Sequence, residues 1–86
     1  MSSFRGRFKD GKYHGQGEYT WKSGNIYVGD WQDGVAHGHG EFSYRSGPRR
    51  GERYQGAFEN GLKHGYGTYY YPDGRSFVGN YRVIRI

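Results

Sequence analysis

One short pattern of aromatic residues and glycines recurs along the chain and restricts what the chain can fold into. The first half of each unit places a glycine between two aromatic residues and ends in Asp-Gly or Asn-Gly. The second half contains His-Gly-x-Gly, with a further aromatic residue two positions later. The units begin at residues 4, 27, 54 and 77. A repeat of this length, within roughly 20 to 50 residues, is typical of proteins in which each unit is one small structural motif.

The residues that could form a core are mainly aromatic. Tyrosine occurs 10 times, phenylalanine five times and tryptophan twice, whereas methionine occurs once. Aromatic rings must therefore supply most of the buried apolar surface. The 17 glycines are unusually many, but a collagen helix is excluded because there are only two prolines and no three-residue period. The abundance of rings also disfavours a disordered chain.

Two sets of turn sequences divide each unit into strands. The Asp-Gly and Asn-Gly pairs favour tight hairpin turns, because such turns need positive φ at both central residues. A second set, Ser-Gly or Asp-Gly, lies between the units, at 23–24, 46–47 and 73–74. No segment has an apolar period of 3.6 residues long enough for a helix. The sequence therefore predicts an all-β fold, a single-layer antiparallel meander of about seven strands.

Side-chain alternation along a strand places the glycines and the rings of each unit on one face. In the second unit Tyr27, Gly29 and Trp31 share that face, and a ring from one strand can lie over a glycine of the next. The opposite face is mostly polar. Because the chain has no second layer to cover the rings, we expect the aromatic face to be exposed and available for binding.

The repeated residues closely resemble the MORN repeat (membrane occupation and recognition nexus). The resemblance implies an elongated, twisted, one-layer sheet in a single domain, residues 1–86, with units 4–26, 27–53 and 54–76 and a partial unit 77–86. It also implies a non-enzymatic scaffold of the kind found in axonemes, other cytoskeletal assemblies and membrane junctions. The chain departs from the family pattern in an insertion at 47–52 and in a last unit that is cut to one strand.

The leading functional prediction is a protein-interaction module, a small subunit of a larger cytoskeletal or axonemal assembly. A partner segment would lie on the aromatic face, because aromatic residues commonly carry the binding energy of interfaces. The predicted anchors are Trp21, Tyr27, Trp31, Phe42, Tyr54, Phe58 and Tyr69. The last strand has few features that protect an open edge, and it could pair with another chain. The residues predicted to take part in that pairing are Phe77, Tyr81, Val83 and Ile84.

An alternative function is peripheral binding to anionic lipid. The chain carries a formal net charge of +5, and arginines cluster around the insertion. Guanidinium groups pair well with phosphate and carboxylate. The residues that would bind the anions are Arg45, Arg49, Arg50 and Arg53. A solvated basic loop is the simpler interpretation of the same residues.

Other kinds of chemistry are disfavoured. His14, His37 and His64 recur once per unit, about 9–10 Å apart at the usual strand spacing, which is too far for shared metal coordination. The Gly-x-Gly pairs open strands and not helices, so they do not predict a nucleotide site. No residues match a nucleophile with a base held beside it, so neither catalysis nor a cofactor is expected. Nucleic acid is an unlikely partner because most arginines and rings lie on opposite faces.

The sequence also bears on location. It contains no cysteine, and no apolar run approaches the roughly 20 residues that a membrane-spanning helix needs. The amino-terminal residues lack the apolar stretch of a signal peptide. We therefore expect a cytoplasmic protein, in the cytoskeleton or the cilium axoneme, or peripheral at a membrane.

Overall fold

Seven antiparallel strands form one open sheet in which each strand pairs with the next along the chain. The computed structural model describes residues 2–85, and for residues 81–85 it describes the backbone only. The predicted all-β, single-layer meander is confirmed. The sheet is 16 Å thick along its shortest axis. The strands are β1 (Ser3–Lys9), β2 (Lys12–Thr20), β3 (Ile26–Gln32), β4 (Val35–Ser43), β5 (Arg53–Glu59), β6 (Leu62–Tyr70) and β7 (Ser76–Arg85).

The hairpin turns have the geometry that their sequences predict. Asp33 and Gly34, between β3 and β4, have φ values of 50° and 87°. Positive φ at two successive residues matches the right-handed twist of the flanking strands, and Asp-Gly and Asn-Gly tolerate it best. Two of these turns also join neighbouring units. The amide of Gly34 donates to the carbonyl of Tyr13 at 2.9 Å, and the amide of Gly61 donates to the carbonyl of Ala36 at 2.8 Å.

A row of glycines crosses all seven strands at right angles to their direction. The register pairs each of these glycines with the next across the sheet, in the order Gly6, Gly17, Gly29, Gly40, Gly56, Gly67 and Gly79. The row forms a trough without side chains. A large side chain from a neighbouring position can therefore lie flat across the backbone.

Aromatic rings fill most of this trough, as the sequence predicts. A Cβ built at Gly40 would lie only 2.5 Å from Cε1 and Cζ of the Tyr27 ring, and one at Gly67 would lie 2.5 Å from Cζ of Tyr54. Phe4 covers Gly17 in the same way, with Cε1 at 2.7 Å from such a Cβ. Each ring therefore belongs to the first strand of a unit and covers the glycine of the returning strand.

The same tyrosines satisfy a backbone group that an irregularity in the strand leaves unpaired. The register of β3 against β4 shifts between Gly29 and Trp31, and β5 shifts likewise between Gly56 and Phe58. The Tyr27 hydroxyl donates to the carbonyl of Asp30 at 2.9 Å, at the shifted position. The Tyr54 hydroxyl donates to the carbonyl of Ala57 at 3.1 Å. Burial, followed by the negative charge of Asp30, raises the pKa of the Tyr27 phenol above its usual range.

The prediction that the aromatic face is exposed is wrong, because the rings cover one another. Tyr27 stands edge-on to Trp31 at 5.3 Å between ring centroids and to Phe58 at 4.8 Å. Such edge-to-face packing lets the side chains of one layer bury their own apolar surface. The aromatic face is therefore a core without a second layer. Its buried apolar residues are Tyr27, Trp31, Ala36, Phe42, Tyr44, Tyr54, Phe58 and Tyr69.

The opposite face is polar for the most part, but it also exposes apolar side chains. Glu41, Gln55 and Thr68 pair across β4, β5 and β6, as the predicted polar face requires. Val28, Tyr66 and Val78 project from the same face and are exposed. Because they occur singly on different strands, this surface needs no special explanation.

Substitution at two glycines tests whether ring coverage stabilises the sheet. We expect Gly40→Ala to lower the free energy of unfolding by about 1–3 kcal/mol, because the new methyl group overlaps the Tyr27 ring. The matched control is Gly79→Ala, where no atom of the described residues lies within 4 Å of an added Cβ. That variant should differ from the original chain by no more than about 0.5 kcal/mol. Urea unfolding of both variants is the measurement, and equal losses of stability would contradict the packing described.

Candidate functional site

The arrangement of rings over glycines is incomplete at β7. Tyr27 and Tyr54 are each fully buried over the glycine of the following strand. Phe77 occupies the same position in the last unit, but 61% of its surface is exposed. Among the residues whose side chains the structure describes, a Cβ at Gly79 would meet nothing within 4 Å. The repeat pattern therefore leaves one ring and one glycine uncovered, at the carboxyl-terminal edge of the sheet.

An open groove lies beside this edge on the aromatic face. Its volume is about 610 Å³. Tyr69 and Tyr71 of the third unit form one side, and Phe77, Gly79 and neighbouring residues of β7 form the other. Arg49, Glu52 and Lys63 supply the charged groups of its lining. We call this feature the carboxyl-terminal groove. It combines apolar rings with a small number of charges, as binding grooves commonly do.

The position of the groove follows from the stacking of rings between units. The second strand of each unit is its returning strand. In the complete units, the aromatic residue that comes just after one returning strand packs against an aromatic residue within the next returning strand. Trp21 contacts Phe42 at 5.2 Å between centroids, and Tyr44 faces Tyr69 at 6.4 Å. Tyr71 is the next member of the series, and on the β7 side it meets the edge of Phe77, at 6.2 Å between ring centroids. The groove occupies the place where a further returning strand would put its aromatic residue.

The insertion builds one wall of the groove. It closes into a compact turn that two backbone hydrogen bonds hold, both 2.9 Å long. The amide of Gly51 donates to the carbonyl of Tyr44, and the amide of Tyr44 donates to the carbonyl of Glu52. From this turn, Arg49 donates to the Tyr69 hydroxyl at 3.2 Å, and Tyr69 donates to the Glu52 carboxylate at 2.5 Å. Burial, together with the bond to Glu52, raises the pKa of Tyr69. The side chains of the insertion are therefore partly engaged with the sheet.

Lys63 is the buried cation of the site, with 1% of its surface exposed. Its ammonium group donates to the Tyr44 hydroxyl at 2.7 Å. It also lies 4.8 Å from the ring centroid of Tyr69, 5.0 Å from that of Tyr44 and 5.4 Å from that of Tyr54. Cation–π attraction from three rings compensates part of the hydration that burial removes. The equivalent positions in the first two units hold Tyr13 and Ala36.

The predicted protein anchors are almost all internal. Trp21 is half-buried, and the other six are buried. Tyr69 nevertheless lines the carboxyl-terminal groove. The structure thus leaves little of these rings available for direct contact with a partner. Their structural role is to form the core that supports the groove.

The residues predicted for edge pairing fall into two groups. Phe77 is exposed on β7, where the sequence places it. The side chains of Tyr81, Val83 and Ile84 lie outside the described residues, although their backbone continues β7 along β6. Lys63, Glu52 and Tyr71 are members of the groove that sequence reasoning missed. Alignment of the units by offset would have marked Lys63, because it puts a charge at a position that is apolar in both other units.

The four arginines do not form one patch. Arg49 lies over the Tyr44 ring on the aromatic face, at 5.8 Å. Arg53 lies over the Tyr70 ring on the opposite face, at 4.2 Å, and makes an ion pair with Glu41 at 2.9 Å. Arg45 and Arg50 are exposed. The cluster that is compact in sequence is therefore divided between the two faces of the sheet.

Two of the three repeated histidines, His37 and His64, contact their own hairpin or the next one. His64 lies 3.2 Å from the Glu59 carboxylate, and His37 accepts a bond of 3.4 Å from the amide of Asn60 in the following turn. Among the described residues, no group of three or more His, Cys, Asp or Glu side chains could hold a metal ion. The described part of the chain also has no helix long and apolar enough to cross a membrane.

These features define a repeat protein whose units are β-hairpins stacked edge to edge in one layer. The family model of the MORN repeat matches residues 4–26, 27–49 and 54–74. These matches cover most of the chain, which therefore belongs to the MORN repeat family. The curated proteins contain no significant match to it. MORN repeats are commonly protein-interaction or membrane-associated modules.

A double-mutant cycle tests the environment of Lys63. Tyr44→Phe removes the hydroxyl that accepts from the buried ammonium, so we expect a loss of about 1.5–3 kcal/mol in the free energy of unfolding. Lys63→Met should abolish most of that sensitivity, because no buried charge then remains. Tyr71→Phe is the control, with an expected change within about 0.5 kcal/mol. Thermal or urea unfolding measures five proteins: the original chain, the two single variants, the double variant and the control. If Tyr44→Phe costs the same with and without Lys63, the contact does not stabilise the chain.

Proposed function

We propose that the chain is a non-enzymatic protein-interaction subunit of a cytoskeletal or axonemal assembly. Its partner docks at the carboxyl-terminal groove and along β7. The observation that supports this proposal most strongly is the exposure of Phe77 beside the groove, at a position that is buried in the second and third units. MORN repeat proteins are generally non-enzymatic scaffolds, which agrees with this function.

An open strand edge suits the binding of an extended segment. The outward amide and carbonyl groups of β7 can pair with a strand from another chain, while an adjacent pocket receives its side chains. The rest of the sheet supplies a preorganised platform, because its rings are already packed. A rigid platform reduces the entropy that binding must offset. The sequence predicts that a partner binds on the aromatic face as a whole. We propose instead that it binds at the uncovered end of that face.

Binding to anionic lipid through the arginines is the weaker alternative. A basic residue near a membrane surface contributes about 1 kcal/mol. Arg49 and Arg53 lie on opposite faces of the sheet, so they cannot both approach one flat membrane in the same orientation. The net charge of +5 still favours acidic partners in general. A strand edge with a lined groove explains more of the observed surface than charge alone does.

Site-specific photo-crosslinking in cells that express the protein tests the proposed docking site. A benzophenone amino acid replaces Phe77 in one variant and Tyr66 in the control. Both residues are exposed aromatics, but Tyr66 lies on the polar face, with 72% of its surface exposed. We expect crosslinks from position 77 to a cytoskeletal or ciliary protein, and few from position 66. Because both positions are exposed, neither replacement should disturb folding.

The contrary outcomes are distinct. Crosslinks that arise mainly from position 66 would move the interface to the polar face. If neither position crosslinks to protein, and the chain instead sediments with anionic vesicles at physiological salt, the lipid alternative replaces the proposal. Arg45→Glu combined with Arg50→Glu should abolish such sedimentation, because charge attraction is its cause.

A further inference from the structure

The register of the complete units specifies what can occupy the edge of β7. In each of them, the glycine of the first strand faces a glycine of the returning strand. Gly29 faces Gly40, and Gly56 faces Gly67. A Cβ at Gly56 would lie 2.7 Å from the carbonyl oxygen of Tyr66, which shows how closely the two backbones approach. The covering ring also leaves no space for a side chain on the returning strand.

The residue opposite the covering ring is aromatic in every complete unit. Phe4 pairs with Tyr19, Tyr27 with Phe42 and Tyr54 with Tyr69. In each returning strand this aromatic residue follows the glycine by two positions. Side chains two positions apart share one face of a strand, so the ring reaches the aromatic side of the sheet. At β7, that side is the carboxyl-terminal groove.

The seven strands that the structure describes do not provide a suitable occupant. The returning strands β2, β4 and β6 are paired along both edges, and their glycines already lie under rings. The edge strand β1 has an open side, but the ring of Phe4 already covers its glycine. A Cβ at Gly6 would lie 2.8 Å from Cζ of that ring. Phe77 of a second copy could not occupy the same place, which disfavours head-to-tail pairing of two copies through β1 and β7.

We propose that β7 binds an extended segment of a different protein that carries a Gly-x-aromatic sequence. The segment runs antiparallel to β7, with its glycine opposite Gly79 and its aromatic residue opposite Phe77. Phe77 then turns over the segment's glycine, and the segment's aromatic ring enters the carboxyl-terminal groove against Tyr71. The inference rests on the proposed function and adds to it the chemistry that the partner must present. The bound segment completes the fourth unit of the repeat.

A synthetic peptide with the sequence of β6 supplies a probe of defined chemistry. Residues 62–70 contain the required glycine and aromatic residue, Gly67 and Tyr69. Fluorescence anisotropy of the labelled peptide, titrated with the full chain, measures binding. Peptide Gly67→Val should bind at least about tenfold more weakly, because its side chain meets the Phe77 ring. Peptide Tyr69→Ser should also bind about tenfold more weakly, because it leaves the groove empty.

The complementary variant of the protein is Gly79→Ala. Its Cβ meets no described atom of the free chain within 4 Å, so we expect folding to be unaffected, but it projects toward the backbone of an added strand. We expect affinity for the β6 peptide to fall about tenfold or more. Val28→Ala is the control, because Val28 lies on β3, outside the groove, and is 45% exposed on the opposite face. It should change affinity by less than about threefold.

Each result bears on the inference separately from the proposed function. No binding of the unmodified peptide, or equal binding of peptide Gly67→Val, would overturn the Gly-x-aromatic requirement. Equal binding by Gly79→Ala would overturn the stated register. If the inference fails in either way while crosslinks from position 77 to a cellular protein persist, the proposed docking site stands. If those crosslinks are also absent, both fail.

Discussion

The contact between an aromatic ring and a backbone glycine is the interaction on which the rest of this structure depends. A single sheet of 86 residues has no second layer to bury apolar surface. The rings bury apolar surface by lying across the glycine row and against one another. Tyrosine suits the position especially well, since its hydroxyl also reaches the carbonyl left unpaired at the shifted register. One tyrosine side chain therefore contributes both to the core and to the hydrogen bonding of the backbone.

The same dependence explains why one end of the sheet remains open. Each ring needs the glycine of the next strand, so the last ring in the series has no place to pack. Phe77 remains exposed, and the neighbouring groove persists between Tyr69, Tyr71 and β7. The insertion adds Arg49 and Glu52 to that groove through their contacts with Tyr69.

Much of this fold was predictable from the sequence, because the repeated residues determine the local conformation of the turns and the faces of the strands. Asp33-Gly34 predicts its turn through backbone conformation alone, and alternation places Tyr27 and Gly29 on one face. Exposure of that face was predicted wrongly. The burial of rings against one another depends on distances between units. The alternation of side chains along a strand gives the face of each residue but not these distances. The ring contacts of Lys63 were not predicted for the same reason, because the three rings around its ammonium group come from different parts of the sheet. The division of Arg49 from Arg53 depends on the path of the insertion, which the sequence does not specify.

Proton chemical shifts of the glycines in the free chain test ring coverage most directly. A methylene proton held against the face of an aromatic ring moves upfield because of the ring current. The account predicts marked upfield shifts for Gly17, Gly40 and Gly67, and shifts near unperturbed values for Gly79. Tyr27→Leu should return Gly40 alone to its ordinary position, with Gly67 unchanged as an internal reference. If Gly79 shifts as far upfield as Gly40, or if Gly40 is not shifted, the account of a covered trough with one open end is contradicted.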